Sequence, residues 1–71
     1  NPTRGKLKIY SQSGFNQVHI YNSDGKEIIE LRFNEDKSEI ALDLDGLQSG
    51  LYSMKAIGKD EVKTVKIVLS Y

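Results

Sequence analysis

Apolar residues alternate with polar ones along most of the sequence, from Leu7 to Leu69. This period of two is typical of β-strands with one buried face, because successive side chains of a strand point to opposite sides. The inward positions of the six runs are Leu7 and Ile9; Val18 and Ile20; Ile29, Leu31 and Phe33; Ile40, Leu42 and Leu44; Tyr52, Met54 and Ala56; and Val65, Ile67 and Leu69. Since no window carries a sustained helical stripe, the pattern predicts an all-β fold of six strands, or seven if one bends.

Polar segments between these runs predict turns. Segments 22–25, 34–37 and 58–60 are rich in Asn, Asp, Lys and Gly, which favour hairpins. Segment 45–48 is the best candidate for a helical turn, but it is too short to nucleate a helix alone. We therefore expect mostly antiparallel neighbours, arranged as a two-sheet sandwich that covers several half-apolar strands.

The size of the chain predicts a single domain over residues 1–71, because smaller pieces could not each bury a core. We predict that Ile20, Leu42 and Ile67 lie at the centre of that core. The chain opens at Asn1-Pro2 without a leader sequence, which fits a piece excised from the C-terminal end of a larger exported protein.

Charge and composition argue against several functions. Ten basic and ten acidic residues cancel and are interspersed, so no broad field favours nucleic acid. The absence of cysteine excludes disulfides, zinc-thiolate sites and thiol nucleophiles. No apolar run is long enough to cross a bilayer, and we expect no membrane insertion.

Four short segments carry a family resemblance through their order and spacing. They read NPTRG at 1–5, VHIYNSDG at 18–25, LQSGLY at 47–52 and VKIVL at 65–69. Together they resemble the type A C-terminal sorting domain of the type IX (Por) secretion system of Bacteroidetes. Each segment also has a plain structural interpretation as a strand entry, a hairpin, a tight turn or a sheet strand, and the two interpretations are compatible.

The resemblance implies an immunoglobulin-like β-sandwich at the end of a multidomain cargo. Such a precursor reaches the periplasm by a separate leader, and the domain is then recognised by the outer-membrane translocon. A sortase-like surface peptidase typically cuts before the domain, and the cargo is attached to the cell surface or released. The chain would then be a ligand of the machinery, with the cargo, the translocon and the peptidase as partners and with no catalysis, metal or cofactor of its own.

Specific residues follow from the resemblance by position. The candidates for recognition by the translocon are Leu47, Gly50, Tyr52, Lys66, Ile67, Val68 and Leu69. The residues expected to fix the fold are Asn1, Pro2, Gly5, Asp24 and Gly25. We also expect the last strand to be an exposed edge, which a partner could extend by β-augmentation.

Three features could support other functions. His19 is predicted to be a solvated surface histidine, because neither a nucleophile nor an orienting carboxylate can be placed beside it. Segment 43–46 resembles part of a calcium loop but lacks the remaining ligands. Tyr10 and Tyr21 point outward and could form an aromatic platform for sugars, so a non-catalytic adhesive or carbohydrate-binding module is the alternative function.

Overall fold

The alternating runs form strands in the computed structural model of the chain, which describes residues 2–3 and 5–70. The strands are β1 (Pro2–Thr3), β2 (Lys6–Asn22), β3 (Glu27–Asp43), β4 (Gly50–Ile57) and β5 (Val62–Leu69). They form one sheet in the order β1-β5-β4-β2-β3. Pairing is antiparallel throughout β2 to β5, whereas the short β1 runs parallel to β5. The predicted all-β, mainly antiparallel class is therefore confirmed.

The two long strands each contain two of the predicted runs. β2 has 17 residues, and a straight strand of that length would extend about 55 Å at about 3.3 Å per residue. The longest dimension of the molecule is only 32 Å, so β2 and its partner β3 must fold back. Register shifts lie between Tyr10 and Phe15 and between Phe15 and Gln17, and they mark the position of the bend.

The bend explains why the predicted strand count and sandwich are not confirmed. The six runs occupy four strands, because register shifts rather than turns separate the two runs within β2 and within β3. The first and last parts of the β2–β3 ribbon are thus continuous in one hydrogen-bonded sheet. The segment 6–10 with its partner 39–43 adds side chains to the same core as the rest of the sheet.

The core contains the three residues predicted for its centre, since Ile20, Leu42 and Ile67 are buried. Phe15 is fully buried at the bend, where the alternation did not predict an inward residue. The largest fully buried side chains are Phe15, Ile20, Leu44, Met54, Leu69 and Val18. Ile29, Leu31 and Phe33 are only half-buried and pack against the edge of this cluster.

Two of the three predicted hairpin turns are present. Segment 22–25 joins β2 to β3, and segment 58–61 joins β4 to β5. The prediction at 34–37 is wrong, because those residues continue β3 through the bend and Lys37 pairs with Phe15. Segment 45–48 is a turn and not a helix; the Leu47 amide donates to the Leu44 carbonyl oxygen at 3.2 Å.

Candidate recognition surface

Each of the four motif segments reaches the same end of the sheet, which we call the motif end. β1 pairs with the last two residues of β5, where Pro2 lies beside Val68. The start of β4 pairs with the same end of β5, with Gly50 opposite Leu69 and Leu51 opposite Val68. Described residues that are distant in sequence therefore lie close together at this end, whereas Asn1 and Arg4 of the first segment lie outside the described residues.

Gly5 joins the first motif segment to the loop that leads into the third. Its carbonyl oxygen accepts a hydrogen bond from the Leu44 amide. It is buried and has a φ of 100°, a conformation that favours glycine. A Cβ at this position would come within 3.0 Å of the Asp45 carboxylate. The predicted role of Gly5 in fixing the fold has a physical basis in this contact.

The hairpin 22–25 is closed by the side chain and the backbone of Asn22. Its Oδ1 accepts hydrogen bonds from the amides of Asp24 and Lys26, both at 3.0 Å. The Gly25 amide donates to the Asn22 carbonyl oxygen at 3.0 Å. These contacts hold Asp24 and Gly25 at the exposed tip of the turn, beside the start of β4.

The segment 47–52 is ordered by Tyr52. The Tyr52 hydroxyl donates a hydrogen bond to the Gln48 carbonyl oxygen at 2.6 Å, while its ring packs against the core. Leu47 is also half-buried against the core, and Gly50 is exposed at the first position of β4. Tyr52 thus stabilises the turn that leads into β4.

The terminal strand presents its predicted recognition residues to two different environments. Lys66 is exposed and Val68 half-buried on the outer face of the sheet, the face opposite the core. Ile67 and Leu69 are each 2% exposed and belong to the core. A partner could therefore contact Lys66 and Val68 directly, whereas it could reach Ile67 and Leu69 only through their backbone.

The expectation that the whole last strand is an exposed edge needs correction. β1 covers β5 at Val68 and Leu69, because Pro2 and Thr3 pair there. Within the described residues, no strand pairs with the other side of β5 along residues 62–67, which we call the free edge. The second edge of the sheet is β3, which among the described strands pairs with β2 alone.

The outer face beside the free edge is apolar at its two ends and basic between them. Leu51 is 60% exposed and lies opposite Val68. At the other end, Val62 is 59% exposed and lies opposite Ile57. A shallow groove between the first hairpin and β4 adjoins this face; it is lined by Asn22, Ser23, Gly25, Leu51, Tyr52, Ser53 and Lys66.

His19 is not the solvated histidine that the sequence predicted. It is buried on the outer face of β2, where its Nδ1 lies 2.6 Å from a Glu27 carboxylate oxygen. Its Nε2 lies 3.1 Å from the side-chain oxygen of Gln17. The Tyr21 ring stacks on its imidazole, with 6.5 Å between ring centroids. The charged and aromatic side chains of β2 and β3 cover the ring, which the alternation alone could not show.

The residues considered for other functions do not assemble into a site. Tyr10 pairs with Glu39 near the bend, whereas Tyr21 pairs with Ser53 near the motif end, so they form no joint platform. The Asp43 carboxylate accepts a hydrogen bond from the Asp45 amide at 3.0 Å. The described residues contain no cluster of three or more potential metal ligands and no helix suited to crossing a membrane.

Comparisons with known proteins agree with the motif segments. The model of a family described as the secretion system C-terminal sorting domain matches residues 1–70. No curated protein and no solved structure matches the chain.

Proposed function

The chain belongs to the secretion system C-terminal sorting domain family, a non-enzymatic family of type IX secretion signals, and from this premise we propose how the signal is read. The signal serves for export through the outer membrane and is recognised by the secretion machinery. We propose that the translocon binds the motif end as a folded surface, together with the adjoining outer face of β4 and β5.

The convergence of the four motif segments carries this proposal. Pairing between β1 and β5, between β4 and β5, and between Asn22 and Tyr52 of β2 and β4 brings the segments to one end. Secondary structure alone does not require sequence motifs to cluster in this way. A common end gives the translocon one rigid epitope built from segments that are distant along the chain.

The proposed contacts divide into direct and supporting ones. Gly50, Lys66 and Val68 lie at or near the surface and would touch the translocon. Leu47 and Tyr52 would hold the epitope in shape, since both pack against the core. Ile67 and Leu69 would act through the position of the β5 backbone, because their side chains are buried.

The later steps of export belong to the same proposal. A sortase-like surface peptidase would cut the segment before Asn1 after passage, and the cargo would be attached to the cell surface or released. The domain would take no part in the chemistry of that cleavage. It would act as a ligand that brings the precursor to the machinery.

A reporter experiment tests the sorting role. The chain is fused to the C-terminus of a fluorescent protein that carries a periplasmic leader, and the fusion is expressed in a Bacteroidetes host with and without a working type IX translocon. We expect the reporter at the cell surface or in the medium only when the translocon is present. Equal retention in the periplasm of both strains, with the domain shown to be folded, would contradict the proposal.

A further inference from the structure

We infer that the free edge of β5 binds an extended, acidic strand of a partner by β-augmentation. This inference rests on the proposed function and specifies the chemical character of the partner segment that the domain binds. A strand edge offers unpaired backbone donors and acceptors that a partner strand can bind, whereas side chains beside the edge determine which strand fits. Residues 62–67 offer both the unpaired backbone groups and the neighbouring side chains.

The charges beside the free edge favour an anionic partner. Lys66 lies opposite Ser53 and Lys55 lies opposite Thr64, so the two lysines are diagonal neighbours on the outer face. The side chain of neither lysine has an ion pair or a hydrogen bond with any described residue. Two neighbouring unpaired cations repel each other, and acidic side chains of an added strand would relieve that repulsion.

The other edge of the sheet carries the opposite charge. β5 contains two lysines and no acidic residue, whereas β3 contains six acidic and two basic residues. An acidic strand would therefore be attracted to β5 and repelled by β3. The charge difference assigns the binding to one edge, although both edges have unpaired backbone groups.

The outer face predicts the side-chain pattern of the bound strand. Val62, Thr64, Lys66 and Val68 point outward in succession along β5. A strand added beside them would place every second side chain on the same face. Acidic residues next to Thr64 and Lys66 and an apolar residue next to Val62 would complement this surface.

A second copy of the chain is a weaker candidate for this strand. The edge of β3 is acidic, but the strand bends at its middle and cannot lie along the free edge as a straight segment. Three of its carboxylates also lie within ion-pair distance of a basic side chain: Glu30 of Arg32 at 2.7 Å, Glu27 of His19 at 2.6 Å and Glu35 of Lys37 at 3.9 Å. These features favour a different protein that supplies a straight acidic strand.

Peptide titration of the isotope-labelled 71-residue chain tests the inference by nuclear magnetic resonance. The probe is the peptide acetyl-Val-Thr-Glu-Thr-Glu-Thr-Val-amide, and its control carries lysine in place of both glutamates. We expect the acidic probe to shift the resonances of residues 62–67 and to slow exchange of the amides that face away from β4. The control peptide should bind about tenfold more weakly, because two attractive ion pairs are replaced by repulsion.

A charge-reversal variant distinguishes this mechanism from nonspecific binding of the peptide. In Lys55→Glu/Lys66→Glu, the preference should invert, so that the lysine peptide binds about tenfold more tightly than the acidic one. The denaturation midpoint of the variant establishes that it is folded. Equal binding of both peptides, shifts confined to β3, or concentration-dependent self-association through β5 would each overturn the inference.

The outcome is independent of the reporter experiment. Translocon-dependent export without binding of the acidic probe would reject the partner chemistry and leave the sorting role intact. Binding of the probe without export would support the edge chemistry and reject the sorting role. The two proposals can therefore fail separately.

Discussion

Asp45 lies against the side of Gly5 on which any other residue would carry its Cβ. Gly5 also has a φ of 100°, so alanine at this position meets both steric crowding and backbone strain. We expect Gly5→Ala to lower the free energy of unfolding by about 1–3 kcal/mol. Urea denaturation followed by circular dichroism measures the change.

Gly46→Ala is the matched control for this prediction. Gly46 has a φ of 96°, but in the part of the chain that the structure describes no atom beyond its two chain neighbours lies within 4 Å of the position that a Cβ would take. It reports the backbone strain without the contact, so Gly5→Ala should be the more destabilising of the two. Equal losses in the free energy of unfolding would show that the close approach of Asp45 to Gly5 has no effect on stability. A Gly5→Ala chain as stable as the wild type would contradict the backbone conformation at Gly5.

A second close approach holds the bend in β2 against the β4–β5 turn. A Cβ on Gly58 would come within 3.0 Å of the Gly14 carbonyl oxygen, a backbone atom that cannot move aside alone. The Ser11 hydroxyl donates to the Glu61 carboxylate at 2.5 Å in the same region. We expect Gly58→Ala to destabilise the fold by about 1–3 kcal/mol, measured as a lower denaturation midpoint.

Glu61→Gln provides a milder comparison at the same junction. The side-chain amide oxygen can still accept a hydrogen bond from Ser11, so the packing of the bend is retained. We expect a loss of less than about 1.5 kcal/mol, since only the charge assistance is removed. A larger effect for Glu61→Gln than for Gly58→Ala would mean that the hydrogen bond, and not the backbone approach, holds the bend.

Tyr52→Phe should separate two roles of the tyrosine. The phenylalanine ring preserves packing against the core but removes the hydroxyl that donates to Gln48. We expect a stability loss of about 0.5–1.5 kcal/mol and reduced export, because segment 47–52 loses its anchor. Denaturation and the reporter fusion measure these effects. Wild-type export by a measurably destabilised Tyr52→Phe chain would remove segment 47–52 from the proposed epitope.

The alternation predicts most of the strand positions, but it does not predict that two runs join into one continuous strand in β2 and again in β3. The inward positions change from odd numbers at Leu7 and Ile9 to even numbers at Val18 and Ile20. This switch requires a bulge or a turn between them, and the sequence offers both. Segment 34–37 resembles a turn in composition, yet it opposes the bend of β2 and remains in a strand. Pairing with β2 keeps segment 34–37 in a strand, and the composition of a segment does not show which strand it will pair with.

The candidate surface was predicted only at the level of its segments. The motif order proposed Gly50, Lys66 and Val68 as recognition residues, and the fold places them at one end of the sheet. Sequence could not show that Ile67 points into the core while Lys66 faces outward at a free edge, because both depend on the register with β4. The burial of His19 likewise depends on Glu27, which a hairpin brings to it.

Leu51 and Tyr10 form a matched pair for mapping the recognition surface. Their exposures are 60% and 62%, but Leu51 lies at the motif end and Tyr10 lies near the bend. We expect Leu51→Thr to reduce export about fivefold, the effect of losing roughly 1 kcal/mol of apolar contact. Tyr10→Thr should export normally, and fluorescence of the surface fraction measures both. Equal export by the two variants would place recognition elsewhere.

Proline at the free edge tests β-augmentation in the export assay. Val68 is a poor position for this test, because it pairs with both Leu51 and Pro2. Thr64 and Val65 are better, since consecutive amides in a strand point to opposite neighbours. One of them faces β4, and its replacement by proline should destabilise the fold. The other faces the free edge, and its replacement should leave the denaturation midpoint nearly unchanged.

The folded member of the pair Thr64→Pro and Val65→Pro is the informative one. We expect it to lose most of its export, because proline removes a backbone donor and its ring blocks an approaching strand. The control is Thr64→Val or Val65→Thr, whichever lies at the same position as the folded proline variant, since it alters the side chain and keeps the amide. Normal export by the folded proline variant would exclude strand addition at this edge. Recognition would then depend on the side chains of the motif end alone.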